Sequence, residues 1–215
     1  SCPDELSMSA GLGRDEAGRP IFSVGVCWSG EHDGADQALR PLRDLGPAVD
    51  VVAPTDYCAL QSAHDAGAPP GQNHYWKSSF FTDFTDGAVD VLLHFAAGIP
   101  SPMSGIGMQQ LHGVAARVDP AATAFPHRRS QSELLILAQW PDPAETERNV
   151  GWARAFFEAM QPFAARGVYV NDLGEEGADR VKAAYGANYD RLAAVKATYD
   201  PTNLFRSNQN IRPTA

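Results

Sequence analysis

The chain has 215 residues, 44% of them hydrophobic and 9% aromatic, with 17 Lys and Arg against 26 Asp and Glu for a formal charge of −9. That composition supports a packed core and excludes a disordered chain. The acidic balance also excludes nucleic-acid backbones and anionic lipid as partners, because both need clustered cations and the one basic doublet, Arg128-Arg129, is too little.

Residues 5 to 11 have strand character. They are followed by the turn-rich Gly13-Arg14-Asp15-Glu16-Ala17-Gly18-Arg19-Pro20 and a second extended run, Ile21 to Trp28, which together predict a hairpin. Gly30 to Gly34 opens a helical pattern carried by Ala38, Leu42 and Leu45 and stopped by Gly46-Pro47. Val49 to Ala53 is a short apolar run ended by Pro54, and residues 56 to 66 predict a short helix. Beyond the break at Pro69-Pro70-Gly71, His74 to Phe81 has strand-forming content.

Asp86 to Ala97 predicts a helix with Asp86 as N-cap and Val89, Leu92, Leu93 and Ala96 on one face. Met103 to Leu111 and Val114 to Val118 read as extended. Leu134 to Leu137, inside Glu133 to Trp140, is apolar on both sides, as in a central strand with helices over one face and a second cover over the other. A long helix follows, from Asp142 or Ala144 to Phe163, with Trp152, Phe156, Ala159 and Phe163 at helical spacing. Val168 to Val170 predicts a last strand, and helices are expected over Ala178–Tyr185 and Asn188–Tyr199, the second ended by Asp200-Pro201. Strands outnumber βαβ alternations, so the pattern predicts an α+β fold, an antiparallel sheet covered on one face by helices.

Self-contained catalytic motifs are missing from this pattern. None of His32, His64, His74, His94, His112 and His127 has zinc-ligand spacing to another His or to a Cys. No Gly-x-Ser-x-Gly elbow occurs, and Gly11-Leu12-Gly13 and Gly105-Ile106-Gly107 lack the third glycine and the helix start of a dinucleotide loop. Cys2, Cys27 and Cys58 cannot all pair, which points to a reducing, cytoplasmic compartment, and Cys27 and Cys58 read as small buried hydrophobes. No apolar run approaches the ~20 residues of a transmembrane helix. Ser1 to Leu6 has no signal-peptide character and no initiating Met, so the chain is expected to begin in mid-protein.

The C-terminal stretch is of a different kind. Tyr169-x-Asn171 is followed by Tyr185-Gly186-x-Asn188-Tyr189-x-Arg191-Leu192, by Lys196-x-x-Tyr199-Asp200-Pro201-x-Asn203-x-Phe205, and by Asn208-Gln209-x-Ile211. These ordered elements resemble the C-terminal segment of berberine-bridge-enzyme-like FAD-linked oxidoreductases, flavoproteins of the vanillyl-alcohol-oxidase type. Upstream, Tyr75-Trp76-Lys77-Ser78-Ser79-Phe80 and Leu134 to Trp140 resemble the substrate domain of bacterial members, so the resemblance covers essentially the whole chain.

The resemblance implies an FAD-dependent oxidoreductase whose full-length form moves a hydride from a small organic substrate to the flavin. This chain would supply a substrate-binding domain over residues 1–163 and a C-terminal segment over 164–215 that packs toward an FAD domain. Alone it would be inactive. Nothing in the sequence corresponds to the family's FAD domain or its covalent flavin attachment, so no His or Cys here is assigned that role. The sheet face away from the helices is expected to cover the flavin. Its partner would be the FAD domain or a second chain, a homodimer included. The other reading is a remnant without flavin that binds a partner or self-associates through the bared face.

Residue by residue, Tyr169 and Asn171 match the element that lies beside the flavin, where an amide both donates and accepts; a packed strand residue and a turn former are the alternatives. Asn208 and Gln209 match the terminal element and are candidates for bonds to the flavin or its domain, or for a plain C-terminal clamp. Many family members carry a Tyr base immediately after Tyr-x-Asn. Here Asp172 stands in that place, and a carboxylate does base work only if burial raises its pKa; the alternative is an exposed turn residue. Tyr75 and Lys77 share one strand face and are the candidate substrate contacts, on a strand expected to face the flavin side.

Overall fold

The structure, a computed structural model, describes all residues except 1, 16, 64, 68, 130, 131, 166, 175, 176 and 215, so His64 lies outside the described residues. The hairpin forms as expected: β1 (Leu6–Arg14) pairs with β2 (Pro20–Trp28), Leu6 opposite Trp28 and Arg14 opposite Pro20. Then come α1 (His32–Arg43), α2 (Tyr57–Ser62), β3 (Asn73–Phe81), α3 (Asp86–Ala97), β4 (Gly105–Gln110), α4 (Val114–Arg117), β5 (Ser132–Trp140), α5 (Thr146–Met160), α6 (Ala178–Tyr185) and α7 (Tyr189–Tyr199). The five strands make one sheet in the order β2-β1-β4-β5-β3, every pairing antiparallel.

The sequence explains most of these elements. α3 spans the expected residues, but its cap is Thr85, whose hydroxyl accepts from the Ala88 N–H at 3.3 Å. Asp86 sits one position inside, at the positive end of the helix. The long stripe of α5 packs with α3 on one sheet face. There Phe81, Ile106, Leu134, Ile136, Ala138, Phe156 and Met160 close a single apolar core.

Two extended segments turn out otherwise. Val114–Arg117 is the short helix α4, entered through Gly113 at φ +66°, and only Val118 after it is extended. Val168–Val170 does not join the sheet, although β3 is an edge strand with one side free. The Ala165 N–H instead donates to the Phe80 carbonyl at the end of β3, and the chain closes a 3-10 turn over Val170–Asp172. Val49–Ala53 is exposed coil. Cys27 and Cys58 are exposed rather than buried.

The C-terminal segment has its own small core of Val168, Leu173, Val181 and Ala184. Asp200 locks the turn after α7. Its carboxylate accepts from the Leu204 and Phe205 N–H groups at 2.7 and 3.0 Å and pairs with Lys196 at 2.6 Å. The Lys196 hydrogen bond, followed by those two N–H donors, holds the Asp200 carboxyl below the usual carboxylate range. A depressed acid stabilises the fold above the unfolded value of about 3.9 and loses that contribution as pH falls through its own lower value. The Leu204 and Phe205 amide shifts are therefore expected to stay native down to about pH 4 and to move to unfolded positions in more acid solution. In Asp200→Ala they should do so already at neutral pH, and native shifts in that variant would refute the lock.

Candidate functional site

Strand register divides the sheet residues between two faces. One carries Leu12, Ile106, Ile136 and Lys77 in one row and Ala10, Met108, Leu134 and Ser79 in another, and α3 and α5 cover it. The opposite face carries the row Gly25, Ser9, Gln109, Glu133, Phe80 and the row Ser23, Gly11, Gly107, Leu135, Ser78. Small residues therefore floor the middle of this second face. Glycine inside a strand commonly marks close approach of a ligand or another backbone. At Gly107 a Cβ would meet nothing nearer than the Leu135 Cβ at 3.8 Å, so folding does not demand the glycine there.

At its β3–β5 end the second face runs into a cavity of about 540 Å³. Phe80, Gln109 and Glu133 floor it, Phe125 and Arg128 form one wall, and Tyr169, Asn171 and Tyr185 of the C-terminal segment form the other. The walls are stitched by rings. Phe125 stands edge-on to Phe80 and to Tyr169 at 6.1 and 6.0 Å, and His127 lies 4.6 Å from Phe80. His127 also bonds the Ala184 carbonyl at 2.9 Å, and burial lowers its pKa, so its role is to fasten α6 to the sheet. The close fit of Gly167 belongs to the same fastening: φ is +111°, and a Cβ would fall 2.1 Å from the His127 ring.

Two of the residues expected to lie beside a flavin meet on the cavity wall, where the Asn171 amide donates to the Tyr169 hydroxyl at 2.8 Å. Asp172 follows them and reaches the one acidic side chain on the cavity floor. Glu133 is only 6% exposed. Burial, and then the hydrogen bond and charge of Asp172, push its carboxyl up to about 8, against a smaller opposing effect of Ser78. Its Oε1 is buried without a hydrogen-bond partner. The sequence pattern passes over Glu133 as the polar end of an apolar strand. The available signal was a charge at an odd-numbered position of β5, on the face away from the helices.

The remaining candidates lie elsewhere. Asn208 is exposed in a left-handed conformation at φ +57°, and Gln209 donates to the Leu173 carbonyl at 2.6 Å, clamping the tail to the segment that carries Asp172. Among the described residues neither lines the cavity. Tyr75 and Lys77 do share a face, but it is the helix-covered one: they pair with Ala138 and Ile136. The Lys77 ammonium lies 5.0 Å from the Phe157 ring, and Arg154 donates to the Tyr75 hydroxyl at 3.1 Å. The expectation that they face the flavin side is corrected. Their period-2 spacing fixes a common face without saying which one.

The described residues hold no group of three or more His, Cys, Asp or Glu placed to bind a metal, and no described helix is long and apolar enough to cross a membrane.

Residues 168–212 match the family model described as berberine and berberine like. An FAD-linked oxidoreductase of Bacillus subtilis is 32% identical over 178 residues, 81% of this chain and 39% of the relative. A berberine bridge enzyme-like protein of Nicotiana tabacum is 29% identical over 67% of this chain and 30% of its own length. Among solved structures, 6-hydroxy-D-nicotine oxidase from Arthrobacter nicotinovorans superposes with a TM-score of 0.81 at 25% identity, over 99% of this chain and 49% of its own. The chain is berberine-bridge-enzyme-like. It spans between 30 and 46% of the length of its first three curated relatives, which come from a bacterium, a slime mould and a plant. Berberine-bridge-like protein 28 of Arabidopsis thaliana has the same fold, with a TM-score of 0.80 at 19% identity over the whole chain and 51% of its own. The family match begins at Val168, so it includes Tyr169, Asn171, Asp172, Asn208 and Gln209.

Proposed function

We propose that this chain is the substrate-binding and C-terminal portion of an FAD-linked oxidoreductase that oxidises a small organic molecule by hydride transfer to flavin. Residues 1–163 form the substrate-binding domain, and residues 164–215 pack toward the flavin-binding domain, which covers the second sheet face. The observation that carries this reading is the continuity of that glycine- and serine-floored face with the cavity lined by Glu133, Tyr169 and Asn171. A flat ring system fits such a floor, since the open space over Gly107 lets it approach the strands, and Asn171 and Gln109 offer amides at the cavity edge.

When bound, FAD supplies a two-electron acceptor, and the protein supplies orientation and electrostatics. Tyr169 and Asn171 act as a bonded pair that orients ligand at the cavity rim. Asp172 receives the proton the substrate gives up. Phe125 and the C-terminal segment keep water from the site. Gln209 holds the segment that presents these groups, and Asn208 extends beyond it toward the flavin-binding domain. The exposed Tyr199, Leu204 and Phe205 favour the same covering partner.

The test is Asn171→Ala in the flavin-loaded enzyme. Loss of an aligned hydrogen bond at the reacting edge is expected to slow flavin reduction about tenfold or to lower flavin occupancy read from absorbance. Unchanged occupancy together with unchanged reduction kinetics would sink the assignment.

A further inference from the structure

We propose that Glu133 and Asp172 work as one carboxyl pair at the cavity floor: the ionised pair takes up the proton released by a substrate hydroxyl or amine, and that proton comes to rest on the buried Glu133. The proposal rests on the oxidoreductase reading above and deepens it by naming the group that completes the base and the X–H function the substrate must carry.

The geometry is specific. Glu133 projects from β5 on the second face, opposite Gln109 and Phe80, where it is sealed from bulk water and forms part of the cavity wall. Asp172 comes from the far side, on the turn fixed by the Asp172 N–H to Tyr169 carbonyl bond of 3.1 Å and clamped by Gln209. Burial and the neighbouring Asp172 carboxyl both favour the neutral form of Glu133, so its proton is held where the two acid groups meet. The Oε1 of Glu133 is buried without a hydrogen-bond partner, a costly arrangement for a carboxylate oxygen unless a proton or a donor completes it.

The charged and titratable groups around the pair do not neutralise it. Arg128 lines the same cavity, but its guanidinium is spent on the Phe125 and Ala115 carbonyls and the Thr123 hydroxyl and lies over the Phe125 ring. Tyr169 and Tyr185 line the walls, burial raises the Tyr185 pKa, and His127 sits against Phe80 and is turned to the Ala184 carbonyl. The elevated carboxyl of Glu133 agrees with this picture.

The step balances simply. The O–H or N–H bond of the substrate breaks and its proton passes to the pair. The adjacent C–H bond breaks with both electrons leaving as hydride to the flavin, and a C=O or C=N bond forms. The substrate is oxidised by two electrons and the flavin reduced by two.

The test joins a titration of the 215-residue chain to kinetics of the flavin-loaded enzyme. With 13C-labelled glutamate carboxyls, one resonance is expected to titrate near 8 rather than near the ordinary 4.3. It should vanish in Glu133→Gln and titrate at lower pH in Asp172→Asn, while staying above the ordinary range because burial remains. In the loaded enzyme, flavin reduction by an alcohol or amine should rise with pH through the same value, and E133Q should lose that rise and about 100-fold in rate. A Glu133 carboxyl titrating near 4.3, or an E133Q enzyme with the wild-type pH profile, overturns the proposal. If the resonance behaves as expected but no alcohol or amine reduces the wild-type flavin, the oxidoreductase reading fails and the uptake role falls with it.

Discussion

Replacing Phe156 by alanine is expected to destabilise the domain by about 3–5 kcal/mol, the range for deleting a fully buried aromatic ring. Phe156 is 0% exposed in α5, and its ring stacks on Phe95 of α3 at 4.9 Å and lies 5.9 Å from Trp152. It is the point where both helices meet the sheet residues Phe81, Ile106, Leu134 and Ile136, so neighbouring side chains have little freedom to collapse into the space. Urea unfolding followed by the fluorescence of Trp140 and Trp152 reads the loss. Val89→Ala, on the exposed flank of α3, should change stability by less than about 0.5 kcal/mol. A Phe156→Ala chain as stable as the parent would refute the helix-on-sheet core.

The second large effect is expected on the other face. Gly107→Phe places a ring in open space over the floor, with ordinary contact to Leu135, so stability should change by less than about 1 kcal/mol. Displacing a reacting partner by an ångström or more costs about 100-fold in rate. Flavin reduction in the loaded enzyme should therefore fall by at least that factor while the unfolding midpoint holds. A variant that folds and reduces flavin at the parental rate would place the ligand elsewhere. The two variants separate the faces of the sheet: Phe156→Ala is expected to cost stability and Gly107→Phe to cost rate.

Much of the architecture is legible in the residues. The apolar spacing of α3 and α5, the turn chemistry of the β1–β2 hairpin and the two-sided hydrophobicity of β5 each specify an element without help from distant parts. What the residues do not specify is pairing and handedness. Val168 to Val170 has the β-branched and aromatic content of a strand, but the chain meets the edge strand β3 through the Ala165–Phe80 bond and then turns instead of extending along it. Val114 to Val118 coils because Gly113 redirects the backbone.

The site divides in the same way. Tyr169, Asn171 and Asp172 are consecutive or nearly so, and their motif is readable as a line of text. Glu133, Gln109 and Phe80 join them only through the register of three strands. The face of Tyr75 and Lys77 is illegible for the complementary reason. Alternation groups them correctly, but only the position of α5 shows that their face is the covered one.

The most direct measurement is a crystal structure of the flavin-loaded enzyme with a substrate analogue. The flavin ring is expected over the Gly11, Gly107 and Leu135 row, with the analogue's hydroxyl or amine against Glu133 and Asp172. A flavin bound against the α3–α5 side of the sheet, or with the Glu133 cavity left empty beside an occupied site elsewhere, would contradict the assignment.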